Sequence, residues 1–297
     1  MEVTITGASG FVGSNLTRYL KDSHTVKSLS VRYIANQKYD FSADVIIHLA
    51  GMAHDLKNVF LPKEYYESNF ELTKQIFDGF LQSKGSVFIF MSTVKAVADE
   101  INEVLTEDSI PNPKTHYGIS KQKAEHYIIS HQLPADKRVY ILRPCMIHGP
   151  GNKGNMNLLY KVVSKGYPWP LGNINNQRSF LSISNLCFVT KEIVENKTIP
   201  SGIYQVADDQ PLSTNTVINL LGISLNKKSK ILKFPLKWIN RITKIGDYLH
   251  LPLNSERLQK LAENYVVSNS KIKAAIGKPL PISSDKGILI TFESFKQ

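Results

Sequence analysis

Apolar, strand-like runs recur along the first two thirds of the chain, and segments with helical spacing separate them. The runs cover residues 3–6, 25–30, 44–51, 86–91, 138–142 and 201–207. Several are apolar without interruption, as strands covered on both faces of a parallel sheet are. Residues 64–81 place apolar side chains near one helical face, and residues 212–215 begin a further helix with a capping residue. The alternation predicts a doubly wound α/β fold with a parallel sheet.

The composition is that of an ordinary soluble globular protein, with 42% hydrophobic and 21% charged residues. No apolar run approaches the roughly 18 residues that a membrane span needs. The N-terminus enters a strand pattern directly, without the features of a signal peptide. Cys145 and Cys187 offer no disulfide framework, so we expect free thiols and a cytoplasmic protein. No Cys/His spacing indicates a metal site.

Basic residues outnumber acidic ones by 36 to 25, for a net charge of +11. Such an excess favours anionic partners. Seven basic residues fall between 227 and 244 without an acid, namely Lys227, Lys228, Lys230, Lys233, Lys237, Arg241 and Lys244. A solvated surface is the simplest interpretation, and a surface that attracts phosphates or lipid headgroups is the alternative. Nucleic acid is disfavoured, because aromatic residues are not interleaved with the charges. The apolar residues at 236–245 are expected to pack onto the domain rather than against a membrane.

A glycine-rich turn follows the first strand and precedes a helix pattern at 14–20. Its glycines, three residues apart, permit a tight turn and a close approach of the backbone to a pyrophosphate at the helix N-terminus. The predicted dinucleotide site consists of Gly7, Ser9, Gly10, Phe11, Val12 and Gly13.

The end of the second strand bears on the choice of dinucleotide. An NAD-binding strand usually ends in an acid that binds the ribose 2′-hydroxyl. Here Ser30 takes that position and Arg32 follows, which suits a 2′-phosphate and slightly favours NADP over NAD. Residues 33–43 are short for another strand, and Asp40 and Phe41 are candidates for the adenine edge.

Small and polar residues follow the next two buried strands. Leu49, Ala50 and Gly51 would let a cofactor lie across the strand end, whereas His48 is typical of a packed core histidine. His54, further on, is a candidate substrate contact. In a doubly wound sheet, side chains just past the strand ends line the ligand crevice, so Thr93 is predicted to hydrogen-bond a substrate oxygen.

Tyr117 and Lys121 lie four residues apart, on one face of a predicted helix. Lowering the pKa of a phenol from about 10 to near 7 requires roughly 4 kcal/mol. An ammonium about 5 Å away stabilises the phenolate by roughly 3 kcal/mol at an effective dielectric near 20. A second positive charge, such as an oxidised nicotinamide ring, could supply the rest. Tyr117 is therefore the candidate acid/base.

Together these motifs resemble the extended short-chain dehydrogenases that act on nucleotide sugars, the NAD(P)-dependent epimerase/dehydratase group. The resemblance extends over essentially the whole chain, through residues 6–13, 47–50, 69–73, 92–93, 117–121, 142–144, 148–151, 155, 178 and 269–277. It implies that Tyr117 is the acid/base, that Lys121 orients the ribose and lowers the pKa of Tyr117, and that Thr93 binds the reacting sugar oxygen. It also places Asn69 and Pro144 at the cofactor, and Asn155 and Arg178 at the substrate diphosphate.

The sequence departs from that family at two places, and the first of them argues against a dehydration reaction. Sugar 4,6-dehydratases follow the Thr with Asp-Glu, but here Val94 and Lys95 follow it, so no acid is available for a departing hydroxyl. Lys95 is either a solvated lysine or a contact for the phosphates or a keto oxygen of the substrate. Residues 96–98 also differ from the usual motif, which leaves the local packing open.

These features predict a dinucleotide-binding part at 1–150, to which residues 178–196 return, and a smaller, mostly helical substrate part at 151–297. The predicted activity is 4-epimerisation of a UDP-hexose, and an NADPH-dependent 4-keto-reductase is the main alternative. A non-catalytic dinucleotide-binding sensor is the alternative from another class, although the intact set of Thr93, Tyr117 and Lys121 argues against it. The resemblance also implies a homodimer.

Overall fold

The computed structural model describes residues 1–52, 61–152, 155–235, 239, 243–244, 247–248 and 255–296. The sheet strands are β1 (Glu2–Thr6), β2 (Thr25–Leu29), β3 (Val45–His48), β4 (Val87–Met91), β5 (Arg138–Pro144) and β8 (Gly202–Val206). They form a parallel sheet in the order β2–β1–β3–β4–β5–β8. Strands β6 (Met146–His148) and β7 (Phe180–Ser182) form a separate parallel pair. The predicted doubly wound α/β fold is confirmed.

Ten α-helices accompany the strands in the described part of the chain. They are α1 (Phe11–Leu20), α2 (Pro62–Tyr66), α3 (Leu72–Gln82), α4 (His116–Ile129), α5 (Asn155–Ser164), α6 (Ile183–Glu195), α7 (Thr214–Ser224), α8 (Ser255–Ala262), α9 (Ser270–Ile276) and α10 (Ser284–Glu293). Of these, α1, α6, α3 and α4 cover the two faces of the sheet. Among the described residues, no helix is both long and apolar enough to cross a membrane.

The buried side chains form three cores. One lies under α1 and α6, where Leu16 and Leu186 pack on the sheet. A second lies on the opposite face, under α3 and α4, around Phe77. The third joins α5, α7 and α10 around Leu221 and Phe292, apart from the sheet. The two cysteines are buried free thiols.

The order of the strands creates a crevice between β1 and β3. From β1 the chain goes to β2 on one side and then returns to β3 on the other. At such a switch point, ligands bind beyond the carboxyl ends of the strands. Residues 30–44 contain no strand, in line with the prediction that this region is too short for one.

Two details differ from the sequence pattern. The helix predicted over 64–81 is interrupted by a π-helical turn at Glu67–Glu71 between α2 and α3. Strand β8 pairs with β5, with Tyr140 opposite Gly202, although residues 202–206 lie outside the segment predicted to return to the sheet. The strand predicted over 201–207 thus forms one edge of the sheet, and the predicted division of the chain into two parts stays a prediction.

Candidate active site

The turn between β1 and α1 depends on glycine at two positions. Gly7 has φ +71°, in the left-handed region, and a Cβ there would lie 2.7 Å from the backbone N of Ala50. A Cβ at Gly13 would collide with the carbonyl oxygen of Gly7 and the Cα of Ala8. The turn is therefore packed against the end of β3 and the first turn of α1, at the switch point of the sheet.

The N-terminus of α1 suits an anionic group. Gly10 is the N-cap residue, so no side chain caps the helix, and its first turn carries no acid. Amide N–H groups without a cap, at the positive end of a helix dipole, attract phosphates. Ser9 and Gly10 are exposed, whereas Phe11 and Val12 are half-buried behind them. This arrangement fits the diphosphate of a dinucleotide.

His48 is part of a buried hydrogen-bond network. Its Nδ1 lies 2.7 Å from Thr6 Oγ1 and its Nε2 lies 3.0 Å from Thr73 Oγ1. Burial, and to a smaller extent the charge of Lys121, lowers the pKa of His48 to about 3. His48 is thus a neutral, packed residue, as its sequence context indicates. Beyond it, Leu49, Ala50 and Gly51 are half-buried or exposed at the strand end.

Asn69 lies on the π-helical turn and is fully buried. Its Oδ1 accepts from the backbone N of Met52 at 2.8 Å, and its Nδ2 donates to Met52 O and to Ser120 Oγ at 3.1 Å each. A Cβ at Gly51 would lie 2.5 Å from Asn69 Oδ1 and 3.4 Å from Lys121 Nζ. The Asn69 amide therefore connects the end of β3 to α4. Its predicted contact with the cofactor stays a prediction.

Tyr117 and Thr93 come together although they lie on different elements. Thr93 follows β4, and Tyr117 lies in the first turn of α4, where Thr115 accepts from the backbone N of Gly118 as the N-cap. Asp99 fixes this helix start by accepting from the backbone N of Lys114 at 2.7 Å. The side chains of Thr93 and Tyr117 form a hydrogen bond. The phenol of Tyr117, the candidate proton-transfer group, and the hydroxyl of Thr93 are therefore next to each other.

The pKa of Tyr117 is raised above 10, because burial disfavours the phenolate. The hydrogen bond with Thr93 lowers it, and the phenol of Tyr65 raises it. The rings of Tyr65 and Tyr117 are 6.3 Å apart between centroids. With Lys121 in place the protein alone therefore favours the phenol, and the phenolate requires positive charge from a bound ligand. The predicted lowering of this pKa by Lys121 stays a prediction.

Lys121 is buried one helical turn after Tyr117. Its Nζ donates to Met91 O at 2.9 Å and lies 4.7 Å from the centroid of the Phe90 ring. Burial lowers its pKa to about 8, and the carboxylate of Glu125 opposes that shift. Lys121 is therefore mainly an ammonium at neutral pH, directed at the carboxyl end of β4.

Three buried residues without a predicted role support this arrangement. Glu125, one turn beyond Lys121, accepts from Ser92 Oγ and from the guanidinium of Arg143 on β5. Ser92 is adjacent to Thr93, so the group ties α4 to the strand end that carries the Thr hydroxyl. The i,i+4 spacing of Lys121 and Glu125 was visible in the sequence. Nothing there identified Arg143 as the partner.

Lys95 and Arg178 both contact the segment around Tyr265. Lys95 Nζ donates to Asp99 O at 2.5 Å and lies 4.6 Å from the centroid of the Tyr265 ring. The backbone of Arg178 bridges to Tyr265 and to Leu212, and burial lowers the pKa of its guanidinium. Lys95 is thus packed between two chain segments rather than solvated. Contact of either residue with a substrate stays a prediction.

The remaining predicted site residues differ in how far they are buried. Arg32 and Asp40 are exposed beyond β2, Phe41 is buried in the core under α3, and Pro144 is buried at the end of β5. His54 and the side chain of Asn155 lie outside the described residues. Among the residues that are described, no cluster of His, Cys, Asp or Glu could hold a metal.

The crevice, the glycine-rich turn and the Thr93–Tyr117–Lys121 group define a dinucleotide-binding oxidoreductase site of the short-chain dehydrogenase type. The profile of the NAD dependent epimerase/dehydratase family matches residues 3–207, and the chain belongs to this family. It is an enzyme of the extended short-chain dehydrogenase type and uses a nicotinamide cofactor. Within that type it belongs to the nucleotide-sugar epimerases and reductases.

Comparison with individual proteins agrees with this assignment. UDP-glucose 4-epimerase from Vibrio cholerae is 29% identical over 321 residues, which cover 99% of this chain and 95% of that protein. UDP-glucuronic acid 4-epimerase from Bacillus cereus, in complex with NAD, superposes with a TM-score of 0.75 at 19% identity, covering 100% of this chain and 97% of that one. RMD from Pseudomonas aeruginosa, complexed with NADPH, gives 0.74 at 19% identity and covers 100% of both chains.

Proposed function

We propose that the protein is a 4-epimerase of a UDP-hexose. The hydrogen bond between Thr93 and Tyr117, at the strand end next to the switch point, is the observation that carries the proposal. The V. cholerae relative, named as a UDP-glucose 4-epimerase, supports the choice of reaction and of substrate. Val94 and Lys95 follow Thr93 where an elimination would need acids, so the proposal excludes dehydration.

In the proposed mechanism, Tyr117 Oη accepts the proton of the C4 hydroxyl and Thr93 Oγ1 holds that oxygen. Lys121, one helical turn further along α4, supplies the ammonium that stabilises the phenolate in the occupied site. A nicotinamide dinucleotide, when bound, supplies the hydride acceptor and donor for C4. Tyr117 returns the proton after the keto sugar has turned, which gives the C4 epimer.

The proposed binding residues divide into two sets. The turn at Gly7, Ser9, Gly10, Phe11, Val12 and Gly13, the strand end Leu49–Gly51 and Lys121 hold the dinucleotide. Arg178, with its planar set of N–H donors, holds the diphosphate of the sugar nucleotide. His54, Lys95 and Asn155 complete the proposed substrate site. Arg178 keeps the nucleotide fixed while the sugar ring turns.

A second candidate is an NADPH-dependent 4-keto-reductase. Ser30 and Arg32 are both exposed at the end of β2, where a carboxylate would otherwise select NAD. An Arg there suits a 2′-phosphate, and NADPH is an exchangeable reductant. The same Thr93 and Tyr117 would then deliver a proton to the oxygen of a 4-keto sugar that enters from solution.

Dinucleotide retention and product analysis distinguish the two reactions. The purified protein is denatured and the released dinucleotide is quantified. UDP-glucose and UDP-N-acetylglucosamine are then incubated with the protein without added dinucleotide, and the products are identified by NMR. An epimerase releases about one NAD(H) per chain and forms the C4 epimer. A protein that releases none, and that consumes NADPH only with a 4-keto sugar, is the reductase.

We further propose the organisation of the chain around this site. The dinucleotide-binding part comprises residues 1–150 and the returning segment, which we extend from 178–196 to include β8, and the third core defines the substrate part. We also propose a homodimer that pairs through α4. Light scattering on the purified chain tests this, and a monomer at micromolar concentration would contradict it.

A further inference from the structure

A surface of mixed basic and apolar character lies next to the third core. We call it the basic–apolar patch, and it consists of Tyr167, Ile223, Lys227, Lys228, Lys230, Leu232, Lys233 and Phe234. Backbone hydrogen bonds fix it to the protein. Trp169 N donates to Lys230 O at 2.7 Å, Leu232 N donates to Trp169 O at 2.8 Å, and Gly172 N donates to Leu232 O at 3.0 Å. Residues 230–232 therefore form a ribbon that is hydrogen-bonded to residues 169–172.

The alternation along this ribbon decides which side chains face outward. Ile231 packs against the third core, and a Cβ at Gly172 would lie 2.8 Å from its Cγ2. Lys230, Leu232 and Phe234 are exposed on the other side, and Lys233, which alternation places on the side of Ile231, is exposed as well. The exposed fraction is 41% for Leu232, 45% for Phe234, 62% for Ile223 and 60% for Tyr167. Clustered apolar side chains of this size indicate a contact surface.

Tyr167 and Ile223 lie on chain segments that contact the ribbon. Lys227 Nζ donates to Ser164 O at 3.2 Å, which brings the ribbon beside the segment that carries Tyr167. Lys227 N donates to Gly222 O at 2.9 Å, next to Ile223 at the end of α7. Two distant parts of the chain thus build one patch.

The charge of the patch has a single sign. The chain has no acidic residue from 137 to 191 or from 210 to 246, and these are the two segments that build the patch. Within the described part of the chain, no ion pair involves Lys227, Lys228, Lys230 or Lys233. The four ammonium groups therefore present uncompensated positive charge beside exposed apolar side chains.

We propose that the basic–apolar patch docks the enzyme reversibly on a bilayer that contains anionic phospholipid. Cations alone would also suit nucleic acid, but Leu232, Phe234 and Ile223 would stay in water on a phosphate backbone. A bilayer interface accepts both components, since lysines meet anionic headgroups and apolar side chains enter the acyl boundary. The lysines and the exposed apolar side chains of the patch therefore both suit an anionic bilayer surface.

Vesicle binding of the 297-residue chain tests the proposal. Sedimentation is measured with phosphatidylcholine vesicles and with vesicles in which part of the lipid is phosphatidylglycerol. The protein should bind the anionic vesicles, and added salt should weaken binding because the lysine charges are screened. Each lysine near such a surface contributes about fivefold in partition. Lys228→Gln, Lys230→Gln and Lys233→Gln combined should therefore lower the partition coefficient about 100-fold.

The matched control removes the same charge elsewhere. Lys21→Gln, Lys84→Gln and Lys197→Gln change exposed lysines outside the patch and should leave binding within about threefold of wild type. Leu232→Ser with Phe234→Ser should lower binding to anionic vesicles about tenfold at unchanged charge. Circular dichroism and the thermal midpoint confirm that each variant is folded.

Three outcomes would overturn the proposal. The first is no binding to anionic vesicles, or equal binding to both vesicle types. The second is an equal effect of the patch and control substitutions. The third is lysine-dependent binding to duplex DNA that Leu232→Ser with Phe234→Ser leaves unchanged, together with no vesicle binding. None of these measurements depends on the sugar reaction, so failure here leaves the proposed function untouched.

Discussion

The guanidinium of Arg143 forms a buried ion pair with both carboxylate oxygens of Glu125. Arg143 Nη2 lies 2.6 Å from Glu125 Oε2, and Nε lies 3.0 Å from Oε1. The side chain of Glu125 is fully buried and that of Arg143 is 4% exposed. This pair joins α4 to β5, and it therefore fixes Tyr117 and Lys121 relative to the strand ends.

Removal of one partner of this pair should be costly. Arg143→Met leaves the buried carboxylate of Glu125 uncompensated, and we expect a loss of about 3–5 kcal/mol in the free energy of unfolding. Urea denaturation measures it. Lys278→Met is the control, because the side chain of Lys278 is 59% exposed in its ion pair with Glu192, and a pair of this kind contributes below about 1 kcal/mol.

The double variant Arg143→Met with Glu125→Leu separates charge burial from packing. Because no buried charge remains, its stability should recover most of the loss seen in Arg143→Met. A single variant that unfolds at the same urea concentration as wild type would show that the pair contributes little.

The pKa of Lys121 predicts a pH-dependent stability. Its value in the folded protein, about 8, lies below the ordinary value of 10.5, so the buried ammonium is a cost at neutral pH. Above pH 8 the folded state releases this proton before the unfolded state does. The stability of wild type relative to Lys121→Met should therefore rise by about 2 kcal/mol between pH 7 and pH 9.5.

Urea denaturation of the ligand-free protein at both pH values measures this difference. Lys123→Met, at an exposed position of the same helix, is the matched control. A difference between wild type and Lys121→Met that stays constant from pH 7 to pH 9.5 would argue against a buried, charged Lys121.

Gly13→Ala should weaken dinucleotide binding. The new Cβ would collide with backbone atoms of Gly7 and Ala8, so the turn itself must shift. We expect a stability loss of about 1–3 kcal/mol and an increase of at least about tenfold in the dissociation constant for the dinucleotide. Calorimetric titration measures the binding, and Ser14→Ala on the exposed side of α1 is the control. Unchanged binding by Gly13→Ala would count against the turn as the diphosphate site.

The sheet and its switch point could be predicted from sequence, because buried strands leave continuous apolar runs and the glycine spacing marks the first turn. The π-helical turn around Asn69 could not, since its residues carry the same apolar periodicity as a regular helix. Arg143 is 18 residues from Glu125, and only the packing of α4 on β5 brings them together. The position of Lys95 against Tyr265 likewise depends on contact between distant segments.

Tyr117→Phe tests the central claim most directly, because it removes one oxygen and keeps the ring that packs against Tyr65. The rate of C4 epimerisation, or of 4-keto reduction, is measured together with dinucleotide binding. If Tyr117 transfers the proton, the rate falls by about 10²–10⁴-fold while dinucleotide binding stays within about threefold of wild type. A variant that turns over the sugar at the wild-type rate would contradict the account.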